Sequence, residues 1–307
     1  MVALIFPGQG SQYTGMGKEL YETFPAAREV FRKAQSLLGF DICEICFSAE
    51  PSELALTENC QPAILTMSIA CWKVLKGSLP NLNVGMVAGH SLGEFSSLVA
   101  AGSLSFEDGL NLVRKRGLLM TEAGRQVPGG MAAVIGLGKQ EVQAICGDNV
   151  TIANFNCPGQ IVVSGRKEDI FKIVPSLKKA GGKVIILPVS GAFHSPLMAK
   201  AAQRFGEELG KVSILCPAVP VVTNSSAGLQ ISPEGIKNSL QKQMTNPVLW
   251  EDSIRKMISK GVTTFIEVGP GKVLSKLLAR IDRSAGSARV EDKKTLGKTI
   301  KAVSRES

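Results

Sequence analysis

Short apolar segments alternate with helical patterns along this chain, and that alternation limits its fold more than any other feature. Strands are predicted at residues 2–6, 84–88 and 264–268. Apolar residues recur at helical spacing in five further segments: 26–38, 61–75, 92–101, 106–123 and 196–209. Alternation of this kind is typical of an α/β protein with a mostly parallel sheet.

The middle of the chain follows a different pattern. Strands are predicted at 131–135, 150–154, 161–164 and 184–187, and helices at 139–146 and 167–180. The order β-α-β-β-α-β is that of a ferredoxin-like unit. We therefore predict an inserted subdomain at residues 126–190, within a larger domain formed by residues 1–125 and 191–307. The polar tail at 283–307 is left as either a loose arm or a terminal helix.

The composition argues against membrane-spanning and nucleic-acid-binding proteins. No apolar run approaches the roughly 20 residues of a membrane span. The start of the chain lacks the features of a signal peptide, so we expect a cytoplasmic protein without membrane contact. The net charge of +9 suits an anionic partner. With 5% aromatic residues and no nucleic-acid motif, nucleic-acid binding is not expected.

Neither the cysteines nor the glycine-rich turns match the sequence pattern of a metal or nucleotide site. Seven cysteines lack a framework spacing, and Cys43-x-x-Cys46 has no second pair to complete a zinc site, so no metal is expected. The turn at Gly8 and Gly10 lacks the third glycine of a dinucleotide fingerprint. The turn ending at Lys272 does not match a P-loop. Both nucleotide-binding interpretations are therefore rejected.

A candidate nucleophile lies between a strand and a helix. Gly89-His90-Ser91-Leu92-Gly93 is a G-x-S-x-G sequence, in which a sharp turn exposes the serine hydroxyl. The helix that follows points free amides at Ser91, which favours negative charge on an acyl oxygen. The alternative is a buried structural turn.

The base is found by elimination, because the chain has only two histidines. His90 precedes Ser91 directly, so its side chain should point away from the nucleophile. His194 follows a predicted strand and precedes a capped helix, where loop residues meet at a site. His194 is therefore the predicted base of Ser91.

Arg116 is predicted to be buried. Its neighbours at helical spacing are Leu112, Val113, Leu119 and Met120, so it lies on the core-facing stripe. An unpaired guanidinium there would be very costly, and we expect a carboxylate partner. A ligand and an internal Asp or Glu are equally good candidates at this point.

Six motifs together closely resemble those of the malonyl-CoA:acyl carrier protein transacylases, and the match is ordered and runs from Gly8 to Gly271, nearly the whole chain except the tail. They are Pro7-Gly-Gln-Gly-Ser-Gln12, Gly89-His-Ser-Leu-Gly-Glu94, Arg116-Gly117, Asn156-Cys-Pro-Gly-Gln160, Gly191-Ala-Phe-His-Ser195 and Gln243-Met-Thr-Asn-Pro247. The resemblance implies a hydrolase-like core with a ferredoxin-like insert. It also implies a malonyl-serine ester as intermediate, with malonyl-CoA and an acidic acyl carrier protein as partners.

The resemblance also implies roles for individual residues. Ser91 and His194 would be nucleophile and base, and Gln9 with the Leu92 amide would form the oxyanion hole. Arg116 would hold the malonyl carboxylate. The main chain near Gln243 would steady the base in place of a triad aspartate. Gln243 itself, Asn156 and Phe193 are placed on the substrate side, Phe193 within a malonyl-selective form of its motif.

Three other functions stay open from the sequence: a serine hydrolase such as a thioesterase, an acyltransferase serving a polyketide synthase, and a non-catalytic binding protein. A buried cation for a free carboxylate argues against a general hydrolase. A binding protein would not need both Ser91 and His194. We expect a monomer that supplies fatty acid biosynthesis and needs no cofactor, since coenzyme A and the carrier's phosphopantetheine enter as substrates.

Overall fold

Two β-sheets organise the residues that the computed structural model describes, 1–189 and 191–304. The strands are β1 (Val2–Phe6), β2 (Val84–Gly89), β3 (Gly129–Ile135), β4 (Val150–Cys157), β5 (Gln160–Arg166), β6 (Lys183–Ile186), β7 (Val221–Val222), β8 (Leu229–Gln230), β9 (Val248–Leu249), β10 (Thr264–Val268) and β11 (Gly286–Val290).

Helices pack around both sheets. They are α1 (Lys18–Thr23), α2 (Pro25–Leu38), α3 (Ile42–Phe47), α4 (Pro51–Leu54), α5 (Thr57–Ser78), α6 (Gly93–Ala100), α7 (Phe106–Gln126), α8 (Lys139–Cys146), α9 (Lys167–Lys179), α10 (Ala199–Gly210), α11 (Pro233–Gln243), α12 (Trp250–Ser259), α13 (Val273–Ile281) and α14 (Lys293–Val303), with a 3₁₀ turn at Pro196–Met198. The chain is therefore a mixed α/β protein, as predicted.

The larger sheet carries the nucleophile. Its order is β11-β10-β1-β2-β7-β8, with parallel pairing from β11 to β7 and an antiparallel β8 at the edge. The predicted mostly parallel sheet is thus confirmed. Because Phe6 pairs with Gly89, the turns that follow β1 and β2 lie side by side at the carboxyl edge of this sheet. Ligands of open parallel sheets bind at this edge.

Alternate residues of β1 explain why helices cover both faces of this sheet. Leu4 and Phe6 pack into the cluster formed with α2, α5 and α7. Ala3 and Ile5 pack into a second cluster, formed with α12 and α13. Successive strand residues point to opposite faces, so a strand apolar at every position requires cover on both sides.

The smaller sheet contains the four strands predicted between residues 126 and 190. The elements β3, α8, β4, β5, α9 and β6 follow the predicted β-α-β-β-α-β order. The sheet order is β6-β3-β5-β4-β9, antiparallel apart from β9, which comes from beyond residue 190 and pairs parallel with β4. The C-terminal part of the chain therefore extends the insert's sheet. Ser190, the last residue of the predicted insert, lies outside the described residues.

The tail forms regular structure up to Val303. Strand β11 pairs with β10 at the edge of the large sheet, and helix α14 packs on it. The Thr299 hydroxyl donates to the Arg289 carbonyl on β11 at 2.7 Å. The loose-arm alternative is wrong for 283–303, since the segment is a strand and a helix. Residues 305–307 lie outside the described part of the chain.

Two further sequence-based expectations concern cysteines and membranes. The seven cysteines are free, including Cys43 and Cys46. No cluster of three or more His, Cys, Asp or Glu residues within 1–189 and 191–304 is arranged to hold a metal ion. None of the helices in the described part of the chain is long and apolar enough to cross a membrane.

Candidate active site

Ser91 lies in a sharp turn between β2 and α6, with φ at 51°. Left-handed backbone is costly for a residue other than glycine. The flanking glycines are required by close approach of backbone. A Cβ on Gly89 would lie 1.9 Å from the Gly93 carbonyl carbon, and one on Gly93 would lie 2.0 Å from the Phe6 oxygen. The strand–turn–helix context predicted for the serine is thus present.

His194 is the base that the geometry offers to Ser91. Its Nε2 lies 2.8 Å from the Ser91 Oγ. Its Nδ1 lies 2.8 Å from the Gln243 carbonyl oxygen and 3.2 Å from that of Asn246. Carbonyl oxygens only accept, so Nδ1 carries the proton and Nε2 turns its lone pair to the serine. No carboxylate is needed to orient this base.

The electrostatics keep His194 neutral. The side chain is 4% exposed. Burial, and after it the positive charge of Arg116, lowers the pKa of His194 to about 3, against the smaller opposing effect of the carbonyl partners. A neutral imidazole at physiological pH can accept the serine proton.

His90 is turned away from the nucleophile, as predicted. Its Nε2–H donates to the Asn156 Oδ1 at 2.8 Å, and its ring lies 5.5 Å from the ring of Trp250. Asn156 is 7% exposed. The Asn156 amide therefore orients His90, and a direct contact of Asn156 with substrate stays a prediction.

Arg116 is buried on α7, as its helical stripe predicts, with 1% of its surface exposed. Its Nη1 donates to the Gln61 Oε1 at 3.0 Å. Its Nη2 donates to the Gln243 Oε1 at 3.0 Å and to the Ser91 Oγ at 3.1 Å. The alternative of a structural ion pair with an internal Asp or Glu is not formed among the described residues: two amide oxygens and the Ser91 hydroxyl take these hydrogen bonds, and Glu94 acts on the guanidinium through its charge alone.

Gln61 and Glu94 were not identified from the sequence. Glu94 is fully buried on α6, and burial raises its pKa to about 7. Burial lowers the pKa of Arg116 to about 10, so the guanidinium is charged at neutral pH. A signal existed for Gln61, since a lone amide in the apolar run of α5 must find partners when buried.

Gln243 joins the nucleophile, the base and the cation. Its Nε2 donates to the Ser91 carbonyl at 2.9 Å and to the Glu94 Oε2 at 2.8 Å. Its Oε1 accepts from Arg116, and its backbone oxygen accepts from His194. The predicted role of the main chain near Gln243 therefore has a direct geometric basis, and the side chain adds three more contacts.

The two residues predicted for the oxyanion hole flank the nucleophile. Leu92 is the N-cap residue of α6, directly after Ser91. Gln9 follows β1, beside the turn that holds Ser91, and its Nε2 donates to the Thr57 Oγ1 at 3.4 Å. Phe193 is 5% exposed and packs in the core beside His194.

A cleft of about 780 Å³ adjoins this site. Thr57, the partner of Gln9, lies in its wall, and so does Gly129, which approaches the backbone of Ala192 closely. Its exposed apolar side chains are Leu56, Phe171 and Ile186, and the cations Arg125 and Lys167 line it as well. Ser91, His194 and Arg116 do not themselves line this cleft, which reaches them through Thr57 and Gly129.

Comparisons with known proteins show which proteins this chain resembles. The model of the acyl transferase domain family matches residues 3–305. The malonyl CoA-acyl carrier protein transacylase of Bacillus subtilis (strain 168) is 44% identical over 99% of this chain and 98% of its own.

Solved structures show the same similarity. The malonyl CoA-acyl carrier protein transacylase of Clostridium perfringens has a TM-score of 0.94 at 38% identity, covering 99% of this chain and 98% of its own. A malonyl-transacylase in complex with a type II PKS acyl-carrier protein has a TM-score of 0.94 at 36% identity, covering 98% and 99%.

Proposed function

The chain belongs to the malonyl CoA-acyl carrier protein transacylase family of acyltransferases, and from this premise we propose that it transfers malonyl from malonyl-CoA to an acyl carrier protein through an ester on Ser91. The observation that carries the proposal is the position of Arg116, whose Nη2 lies 3.1 Å from the Ser91 Oγ. In malonyl, one methylene separates the thioester carbonyl from the carboxylate. A cation beside the nucleophile suits so short an acyl group.

The guanidinium can hold that carboxylate in a two-pronged contact. The Arg116 Nε is buried and has no partner among the described residues, and it shares one edge of the guanidinium with Nη2. A carboxylate accepting from Nε and Nη2 would replace the Ser91 contact and free the hydroxyl for attack. Paired N–H donors of this kind are the geometry that arginine offers to carboxylates.

The first half of the reaction forms the ester. The Ser91 Oγ attacks the thioester carbonyl as His194 Nε2 takes the hydroxyl proton. The Gln9 side chain and the Leu92 amide stabilise the oxyanion. The carbon–sulfur bond then breaks, and the coenzyme A sulfur leaves with the proton from His194. The second half runs in reverse, with the phosphopantetheine thiol of the carrier as nucleophile.

Malonyl itself strengthens the base in this mechanism. The Arg116 charge is the second cause, after burial, that lowers the His194 pKa. A carboxylate bound to Arg116 offsets that charge, so the imidazole becomes more basic once the correct acyl group is in place. Both acyl carriers enter as substrates, and no step needs a cofactor.

The fold and setting belong to the same proposal. The parallel sheet with its serine turn supports a hydrolase-like core, and the β-α-β-β-α-β order supports a ferredoxin-like insert. We further propose a cytoplasmic monomer that serves an acidic carrier protein of fatty acid biosynthesis.

The test is intact-mass measurement after mixing with malonyl-CoA, followed by addition of a phosphopantetheinylated carrier. We expect one malonyl adduct, which disappears as the carrier gains it. Carriers of fatty acid and polyketide systems, tested in parallel, distinguish the two pathways. Release of free malonate at the same rate with and without carrier would identify a thioesterase and overturn the proposal.

A further inference from the structure

Asn224 is a buried residue that contacts the nucleophile turn at three points. It follows β7, which pairs with β2, and it is 1% exposed. Its Oδ1 accepts from the Ser91 backbone N–H at 2.6 Å, and its Nδ2 donates to the Gly89 carbonyl at 2.7 Å. Its backbone N–H donates to the Glu94 Oε2 at 3.1 Å. One residue therefore holds the turn before, at and after the nucleophile.

The fourth polar group of Asn224 reaches the loop that carries the base's partners. Its carbonyl accepts from the Leu249 N–H at 2.9 Å. Leu249 belongs to β9, which directly follows the segment whose Gln243 and Asn246 carbonyls hold His194. The same residue thus ties the nucleophile turn to the segment that orients the base.

The contact at the Ser91 N–H also decides which amide is free for the oxyanion. In some serine enzymes the nucleophile's own N–H stabilises the developing charge. Here that N–H is bonded to Asn224 at 2.6 Å. The oxyanion is therefore left to the next amide, Leu92, and its position depends on how the turn at Ser91 is held.

We propose that Asn224 is a positioning residue that holds Ser91 in its left-handed conformation and in register with His194 and the Leu92 amide. The proposal rests on the proposed function for its substrate. It requires the hydrogen-bond pattern of this amide: an acceptor for the Ser91 N–H and a donor for the Gly89 carbonyl.

The first experiment measures kcat and KM for malonyl transfer in Asn224→Ala. Misplacing a reacting group by about 1 Å costs on the order of 10²-fold in rate. We expect a fall of that order in kcat with KM changed less than about threefold. The matched control is Ser225→Ala, which removes the neighbouring hydrogen bond to Ser239 at 2.9 Å and leaves the turn untouched. Wild-type kcat in a folded Asn224→Ala protein would overturn the proposal.

The second experiment uses Asn224→Asp, which separates positioning from general packing. A protonated Asp keeps both contacts, because it accepts from the Ser91 N–H and donates to the Gly89 carbonyl. An ionised Asp faces that carbonyl without a proton. The charged and titratable groups around it are Glu94, which favours the protonated form, and Arg116, His90 and His194 across the turn. The activity of Asn224→Asp relative to wild type should therefore fall as pH rises, and a pH-independent ratio would contradict the proposal.

A readout without malonyl keeps this proposal separate from the proposed function. A serine-directed fluorophosphonate forms an oxygen–phosphorus bond with Ser91, releases fluoride and gives the hydroxyl proton to His194. We expect Asn224→Ala to slow this labelling on the order of 10²-fold, with Ser225→Ala near wild type. Equal labelling rates in all three proteins would overturn the positioning role. Failure of wild type to take malonyl while labelling normally would overturn only the proposed function.

Discussion

The floor of the active site and the rim of the adjoining cleft are built in opposite ways. The floor (Ser91, Glu94, Arg116, His194 and Gln243) is a connected hydrogen-bond network in which the last four residues are at most 4% exposed. The rim consists of the exposed cleft residues Leu56, Arg125, Lys167, Phe171 and Ile186. Its side chains are apolar or cationic and contact solvent, with Phe171 at 51% exposure and Ile186 at 44%.

This difference separates chemistry from recognition. The floor residues come from distant parts of the chain and are hydrogen-bonded to one another. A substitution at one of them therefore disturbs the geometry of the rest. Rim residues have few partners within the described part of the chain. Floor substitutions should therefore act mainly on kcat, whereas rim substitutions should act on KM and on salt dependence.

Removal of the nucleophile gives the largest expected effect. Ser91→Ala should abolish the malonyl adduct in an intact-mass measurement, because no other hydroxyl lies within 2.8 Å of the His194 Nε2 among the described residues. Ser225→Ala serves as a control for serine content. Full labelling of a folded Ser91→Ala protein would place the ester elsewhere.

Loss of the buried cation should change which acyl group is transferred. Truncating one partner of a buried charge pair costs about 2–5 kcal/mol. Malonyl transfer by Arg116→Ala should therefore fall roughly 30-fold to several-thousand-fold. Acetyl transfer never used the charge and should fall little or rise. Arg116→Lys should restore only part of the malonyl rate, since lysine lacks the two-pronged geometry.

The measurement is kcat/KM for malonyl-CoA and acetyl-CoA with wild type and both variants, after each is shown to be folded. An equal loss for the two substrates would mean that Arg116 serves structure alone. Its contacts with Gln61 and Gln243 make that outcome a real alternative.

A smaller effect is expected on the pH dependence of Ser91 reactivity when Arg116 is replaced. Only neutral His194 can accept a proton, so reactivity is lost as pH falls through its pKa. In wild type that pKa is lowered to about 3, and Arg116 is the second of the causes. Arg116→Ala should move the acid limb of fluorophosphonate labelling to higher pH, whereas Lys115→Ala, which removes an exposed charge on the same helix, should leave it in place. An unmoved limb would show that the two groups are not coupled.

Site residues that lie in a recognisable local sequence pattern can be predicted from the sequence alone. Ser91 lies in a strand–turn–helix segment, His194 is one of two histidines, and the burial of Arg116 follows from helical spacing. The Arg116 partners were missed because Gln61 and Gln243 lie 55 and 127 residues away, and amide oxygens leave no periodic signal.

The fold shows the same limit. The strands at residues 2–6 and 264–268 were predicted to the residue, because strands buried on both faces are continuous apolar runs. Strand β11 was missed, since it lies at the sheet edge and carries small and polar residues. Its edge is covered by α14, a contact that only the tertiary structure provides.

The smallest expected effect is at the rim, and it concerns the carrier protein. The basic residues Lys178, Lys179 and Lys183 of the insert are exposed, which makes them candidate contacts for an acidic carrier. Lys178 and Lys179 lie in the last turn of α9, whereas Lys167 begins that helix and lines the cleft. At about 1.5 Å per residue, the two ends of α9 are roughly 18 Å apart, well over a Debye length of about 8 Å at physiological salt.

Because of that separation, substitutions at the two ends of α9 can be compared with each other. Exposed charges steer encounter within about a Debye length, so kcat/KM for an acidic carrier should fall as salt rises in wild type. If the carrier's phosphopantetheine enters through the cleft, Lys167→Ala should lower kcat/KM at low salt by several-fold and flatten the salt dependence, with kcat unchanged. Lys179→Ala should do so to a lesser degree. A larger effect at Lys179 would place the carrier on the far end of α9, and a salt-independent kcat/KM in wild type would remove electrostatic steering from the account of the rim.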